Sequence, residues 1–95
     1  MTTITDIEDG IHLTLYAELA DYFPRYIAIA KEHRGGRLGA PSRMLYRVSV
    51  GRLHHGSDWF PDGEPALIET PELAEALAAA KAEAGVRGWR ELPAS

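Results

Sequence analysis

The alternation of residue types along residues 44–53 constrains the fold more than any other feature of the sequence. Met44, Tyr46, Val48 and Val50 are apolar or β-favouring, and the residues between them are mostly polar or small. Successive side chains of a β-strand point to opposite faces of a sheet. The pattern therefore predicts a strand with one face in the core. Three shorter runs are further candidates for strands of a short antiparallel sheet, namely residues 59–60, 66–69 and 86–92.

The C-terminal part of the chain contains a clear signal for a helix. Thr70 fits the N-cap, Pro71 the first helical position and Glu72 the first turn. An alanine-rich run follows and stops at Gly85, so the sequence predicts a helix over residues 71–84. Alanine buries little area, and we therefore expect this helix to pack closely on a flat surface such as the sheet.

The N-terminal third is ambiguous between helix and strand. Apolar residues alternate over residues 11–17, which is the strand period. Large apolar residues also recur every three or four positions as far as His33, which is the helix period. The longer pattern favours a helical segment over residues 13–33, broken near Pro24, because proline disrupts a helix interior. Residues 11–17 stay open between the two structures.

These elements predict an α+β fold, in which both helical segments pack on the short antiparallel sheet. The length of 95 residues matches one domain, so we expect a single domain over residues 1–95. Glycines and a proline predict a mobile loop over residues 35–42. The two ends, residues 1–5 and 93–95, are expected to be flexible tails.

The central stretch of the chain, residues 33–57, contains five of the ten basic residues and no carboxylate, although the net charge is −4. Arginine donors match phosphates and carboxylates. The stretch therefore predicts a surface for an anion or a partner, unless its arginines pair with the acids of the flanking segments. Tyr22 and Trp59 are the aromatic residues most expected to be exposed. The candidate binding residues are Arg34, Arg37, Arg43, Arg47, Arg52, Tyr46 and Trp59.

Two further groups of residues are candidates for chemistry. His54, His55 and Asp58 have side chains that could bind a metal or form a base with its orienting acid. Adjacent residues of a strand point to opposite faces, so a hydrogen-bonded loop pair is the simpler interpretation. An acidic helix face could meet a basic partner or could only be solvated. It consists of Glu72, Glu75 and Glu83.

The sequence therefore favours a non-catalytic binding protein that covers a protein partner through a charge-segregated surface. A small bacterial or phage inhibitor, antitoxin or immunity protein is of this kind. The alternative is nucleic-acid or phosphate-ligand binding by the basic stretch, and a third hypothesis is a metal-dependent enzyme at the histidine pair. No phosphate-cradling or dinucleotide motif is present, so no cofactor is expected. Without a membrane-length apolar run we expect a cytoplasmic protein. A homodimer is left open.

Overall fold

The fold was analysed in a computed structural model, which describes residues 4–36, 38, 42–54, 58–63 and 65–93. These residues form one antiparallel sheet and one helix. The strand order in the sheet is β4-β3-β2-β1-β6, and β5 pairs with β3 on the same edge as β4. The elements are β1 (His12–Ala17), β2 (Tyr26–Gly35), β3 (Ser42–His54), β4 (Asp58–Pro61), β5 (Ile68–Thr70), α1 (Leu73–Arg87) and β6 (Arg90–Glu91).

The predicted N-terminal helix is wrong, and with it the predicted α+β class. Residues 13–33 fold into β1, a loop and most of β2, which pair in the register His12↔Ala30 to Ala17↔Tyr26. Pro24 lies in the loop between the strands, where its missing N–H removes no ladder hydrogen bond. The described residues are therefore mostly antiparallel sheet with a single C-terminal helix, and the run 11–17 is strand from His12 to Ala17 rather than helix.

The core lies between α1 and one face of the sheet. Ala76, Ala80 and Ala84 are buried in one cluster with β2 and β3 residues such as Ile29 and Val48. Because alanine has a short side chain, the helix axis can approach the sheet closely, as the alanine stripe predicts. The large aliphatic side chains of the sheet, rather than those of the helix, supply most of the buried apolar area.

The limits of α1 differ from the predicted 71–84 at both ends. Gly85 lies inside the helix, and the helix ends at Gly88, which has a left-handed φ of 71°. The helix begins at Leu73, and its N-cap is Glu72 instead of Thr70. Thr70 still acts at this end, because its hydroxyl accepts a hydrogen bond from the Glu72 N–H at 3.1 Å.

The strand predictions differ in their limits. The predicted strand 44–53 is confirmed within β3, and 59–60 lies within β4. The run 66–69 only overlaps β5, because its first two residues precede the strand. Most of the run 86–92 is not strand: its first residues continue α1, and only Arg90–Glu91 pairs, with β1.

The predicted tails and loop are only partly described. Residues 1–3, 37, 39–41 and 94–95 lie outside the described residues. Ile4 packs against the core cluster, and Ile7 belongs to it. Lys31 on β2 pairs with Asp6 at 3.1 Å, so the segment before β1 is fixed to the sheet.

The sheet has two dissimilar ends along the long axis of a molecule that measures 49 × 28 × 23 Å. At one end the β2–β3 ladder continues from Glu32↔Leu45 to Gly35↔Ser42, beyond the register positions where β1 and β5 pair with it. We call this part, residues 32–35 and 42–45, the arm. At the other end, β1 and β2 are joined by residues 18–25.

Candidate functional site

The arginines of the basic stretch do not share one face. Arg34, Arg43 and Arg47 lie on the sheet face opposite to α1, where Arg34 and Arg43 are direct cross-strand neighbours. Arg52 lies on the helix-side face, opposite Phe60 in the register. Arg37 lies outside the described residues. Arg43 and Arg47 lie on the same face of β3, and Arg43 is the more exposed of the two.

Carboxylates of the chain already engage most of these guanidinium groups. Arg34 pairs with Glu32 and with Glu69. Arg47 lies 3.5 Å from Glu32, and one of its nitrogens, Nε, is buried without a hydrogen-bond partner. The register brings these groups onto the same part of the sheet, because Glu69 lies opposite Arg47 and Glu32 lies opposite Leu45, two residues before Arg47. The helix-free face is therefore a mixed network of charge rather than a purely cationic surface.

Arg52 and Arg43 differ in their surroundings. The Nε of Arg52 lies 3.7 Å from Asp62. Arg43 has no ion pair among the residues that the structure describes, and it projects from the arm. Of the described arginines in the basic stretch, Arg43 is therefore the one most available to an outside anion.

The two predicted aromatic candidates occupy different environments. Tyr46 is only 6% exposed, and its hydroxyl donates a hydrogen bond to Asp6 at 2.9 Å, so its ring belongs to the core. Trp59 is half-buried on the helix-free face, where it lies directly over Gly51. Its ring stacks on His12 with centroids 5.1 Å apart. His12 was missed by sequence reasoning, because it comes from a different strand.

The histidine pair is described only in part. His54 and Asp58 are register partners on β3 and β4, and the His54 ring meets Phe60 edge-on at 4.5 Å. His55 lies outside the described residues. Among the residues with described positions, no three histidine or carboxylate side chains are close enough together to hold a metal ion.

Two of the three predicted acidic residues on the helix have partners within the chain. Glu75 accepts a hydrogen bond from the Thr70 hydroxyl at 3.0 Å. Glu83 pairs with Arg87 one turn later at 2.8 Å. Glu72 is the N-cap residue. The carboxylates of Glu75 and Glu83 thus contribute to local helix structure, whereas the side chain of Glu72 makes no capping hydrogen bond.

The loop between β1 and β2 exposes three large apolar side chains. Leu19 is 72% exposed, Tyr22 84% and Phe23 72%. We call residues 19–23 the apolar loop. Within this loop, sequence reasoning identified only Tyr22 as a residue expected to be exposed. The available signal was the cluster of large apolar residues directly before Pro24, which fits a loop as well as a helix break.

A clamp closes the base of the apolar loop. The N–H of Glu18 donates to the carbonyl of Arg25 at 2.9 Å. The guanidinium of Arg25 donates to both carboxylate oxygens of Glu18, at 3.0 and 3.2 Å. These bonds hold the pKa of Glu18 below its ordinary value. Arg25 also lies 3.5 Å from Asp62 and 5.3 Å from the Trp89 ring centroid, so the clamp is tied to the rest of the sheet.

The backbone of the apolar loop is strained at one residue. Phe23 has a φ of 47°, in the left-handed region that a bulky residue rarely adopts. Such a conformation costs roughly 1–3 kcal/mol and persists when the surrounding structure holds it. Asp21 lies within the same loop, is exposed, and has no ion pair or hydrogen bond among the described residues. The loop thus combines three exposed apolar side chains with one free carboxylate.

Comparisons of the chain with protein-family models, with curated proteins and with solved structures found no match. In the part of the chain that the structure describes, no helix has both the length and the apolar character needed to cross a membrane.

Proposed function

We propose that this chain is a non-catalytic binding protein that recognises a protein partner through the apolar loop. The observation that carries the proposal is the exposure of Leu19, Tyr22 and Phe23 on a loop whose base is clamped by Glu18 and Arg25. Exposing three large apolar side chains together is unfavourable in water. Exposed apolar patches commonly mark interaction sites, and these three side chains belong to one loop of the chain.

The composition of the loop fits the centre of a protein interface. Aromatic side chains bury about 150–250 Å² each and dominate the energetics of such interfaces. The clamp lowers the entropy that the loop would lose on binding, because its two ends are already fixed. A rigid loop with aromatic tips is suited to an inhibitor or an immunity protein, which acts by occupying a partner's surface.

The finer parts of this proposal come from the sequence. They are a bacterial or phage inhibitor, antitoxin or immunity role, a cytoplasmic location, and a charge-segregated surface that includes Arg43 and Arg47 as a second contact. Charged residues at the rim of an interface chiefly speed encounter and orient the partner. Arg43 is suited to this role because it is exposed and has no carboxylate partner among the described residues.

Nucleic-acid binding remains the alternative, and one observation favours it. The basic stretch is folded into a two-stranded arm, and a two-stranded ribbon has dimensions that fit a major groove. The ion pairs of Arg34 with Glu32 and Glu69 weigh against it, because they neutralise charge that phosphates would need. The protein-binding proposal needs no such release of existing pairs.

A photo-crosslinking experiment tests the proposal. A benzophenone amino acid is placed at Tyr22 in one variant and at Ala82, which is exposed on the outer side of α1, in a matched control. Both are expressed in the source organism, irradiated and analysed by mass spectrometry. We expect a specific protein adduct from position 22 that is absent from position 82. Equal adduct patterns at the two positions would reject the apolar loop as the interface.

A further inference from the structure

We infer that the partner presents an apolar cleft edged by lysine or arginine, in which Phe23 fills the cleft and Asp21 pairs with the cation at its edge. This inference rests on the proposed function, and it adds the shape and the charge of the surface that the loop recognises. It is argued from the size of the loop, from its backbone and from the one free carboxylate that it contains.

The size of the apolar loop favours a concave partner. Three large side chains present on the order of 400–500 Å², within the range of a functional surface patch. A standard interface buries about 800 Å² on each partner, so the loop is the centre of an interface and the rest must come from its surroundings. A cleft surrounds an inserted loop on several sides and contacts its flanks, whereas a flat surface meets only the tip.

The pocket that lies before β1 on a second copy of this chain is a poor match for Phe23. The pocket before β1 has a volume of about 340 Å³ and is lined by Asp6, Ile7, Glu8, Asp9 and Lys31. Four of these five residues are charged, so the pocket offers little apolar surface to Phe23. Two apolar loops that met tip to tip across a two-fold axis would also bring the two Asp21 carboxylates towards each other.

A lipid surface is disfavoured by the charge around the loop. Asp21 lies between Leu19 and Tyr22 in sequence, and the chain has a net charge of −4. An anionic leaflet attracts basic segments and repels acidic ones. Insertion of the three apolar side chains would also draw an unpaired carboxylate towards the apolar region of the bilayer, which is costly.

Phe23 is the anchor because its ring is exposed in the free chain and its backbone adopts an unusual conformation there. Its left-handed backbone, with a φ of 47°, is maintained in a loop whose ends are joined by the Glu18–Arg25 clamp. Holding the side chain outward in the free protein removes part of the ordering cost on association. Tyr22 is a neighbour that contacts the cleft wall, since its ring is exposed next to Phe23.

Asp21 determines the charge of the partner's edge. Its carboxylate has no ion pair or hydrogen bond among the described residues. Burial of an unpaired carboxylate in an apolar contact is unfavourable, and truncating one member of a desolvated pair is costly. Association of the loop with an apolar cleft is therefore favourable only where a lysine or arginine of the partner meets Asp21.

The test uses the protein that crosslinks at position 22, purified, with binding rates and Kd measured at low and high salt. Phe23→Ala should weaken binding by about 30-fold or more, mostly through faster dissociation. Asp21→Asn should slow association and flatten its salt dependence. Asp58→Asn is the matched control, because Asp58 is also exposed and has no ion pair among the described residues. This control should bind like the unmodified chain, and circular dichroism should show all variants folded.

The outcomes separate the inference from the proposed function. If Phe23→Ala weakens binding while Asp21→Asn behaves like Asp58→Asn, the cationic edge is overturned and loop-mediated binding stands. If Leu19, Tyr22 and Phe23 can all be replaced by alanine without loss of affinity, both fail. Two further results overturn the cleft: a dimer by analytical ultracentrifugation that Phe23→Ala dissociates, or sedimentation with phosphatidylcholine–phosphatidylglycerol vesicles that Phe23→Ala abolishes.

Discussion

Replacing Gly51 by alanine is expected to destabilise the fold, because no room exists for a side chain at this position. A Cβ atom there would lie 2.5 Å from the Phe60 carbonyl oxygen and 2.5 Å from an atom of the Trp59 ring. Ordinary contacts between carbon atoms are about 3.5–4.0 Å, so neighbours must move by about 1 Å. The Trp59 ring can swing away, but the Phe60 carbonyl belongs to the β3–β4 pairing and cannot move without weakening it.

The magnitude follows from two opposing effects. Overpacking of this kind typically costs about 1–3 kcal/mol. Alanine also reduces the conformational freedom of the unfolded chain, and this effect stabilises the fold by about 0.4–1 kcal/mol. It applies here because the backbone at Gly51 is not in the left-handed region. We therefore expect Gly51→Ala to lower the free energy of unfolding by about 1–2 kcal/mol. At the usual dependence of that free energy on urea for a small domain, this corresponds to a urea midpoint lower by about 1 M.

Urea unfolding followed by far-UV circular dichroism measures this change, and tryptophan fluorescence reports displacement of Trp59. Gly85→Ala is the matched control, since Gly85 lies inside α1 and a Cβ there has no neighbour within 4 Å. That variant should be more stable, by up to about 1 kcal/mol. A Gly51→Ala variant as stable as the unmodified chain would refute the close packing of Trp59 over β3.

Two further predictions concern the N-terminal segment and the arm. Hydrogen bonds from the Ile7 N–H, the Tyr46 hydroxyl and Lys31 hold the pKa of Asp6 below its ordinary value of 3.8. The ionised Asp6 carboxylate therefore stabilises the fold above pH 3.8, and this stabilisation is lost as the pH falls through the lower pKa of the folded state. Asp6→Asn should therefore be less stable than the unmodified chain at pH 7, and the difference should shrink as the pH falls below 3.8 in urea titrations; an unchanged difference would contradict this role. For the arm, fluorescence anisotropy with single- and double-stranded oligonucleotides should show no binding at low salt, and binding that falls steeply with salt would favour the nucleic-acid alternative.

Local sequence signals predicted the parts of the fold that depend on local physics. The alternation around Tyr46 and Val48 identified β3 because one face of that strand is apolar. The Thr70-Pro71 start identified α1, although its end was misplaced at Gly85. An exposed glycine is tolerated inside a helix at a cost of about 1 kcal/mol, so it was a weaker stop signal than the left-handed Gly88.

The N-terminal hairpin was missed because its burial hides the strand period. Ile27 and Ile29 face the helix, while Ala28 and Ala30 are buried on the other face. A strand with both faces buried reads as a continuous apolar run and not as an alternation. The spacing that favoured a helix over residues 13–33 came from two strands and a loop, whose side chains do not form one stripe.

For the candidate site, the sequence could predict which face of a single strand a side chain occupies, but not which residues of other strands lie beside it. Placement of Arg43 and Arg47 on one face follows from the strand period. The carboxylate neighbours of Arg34 and Arg47 could not be foreseen, because Glu32 and Glu69 come close to them only through the register of β2 and β5 against β3. The apolar loop was recognised only in part: Tyr22 was expected to be exposed, but interpretation of Pro24 as a break within a helix gave no such expectation for Leu19 and Phe23.

The central claim is that the apolar loop, rather than the arginine-bearing face, supplies the binding energy for a protein partner. The most direct measurement is the Kd of the crosslinked partner for two folded variants, Leu19→Ala/Tyr22→Ala/Phe23→Ala and Arg43→Glu/Arg47→Glu. We predict that the loop variant loses binding by about 100-fold or more and that the arginine variant loses about tenfold or less. Full affinity of the loop variant, together with lost affinity of the arginine variant, would contradict the account.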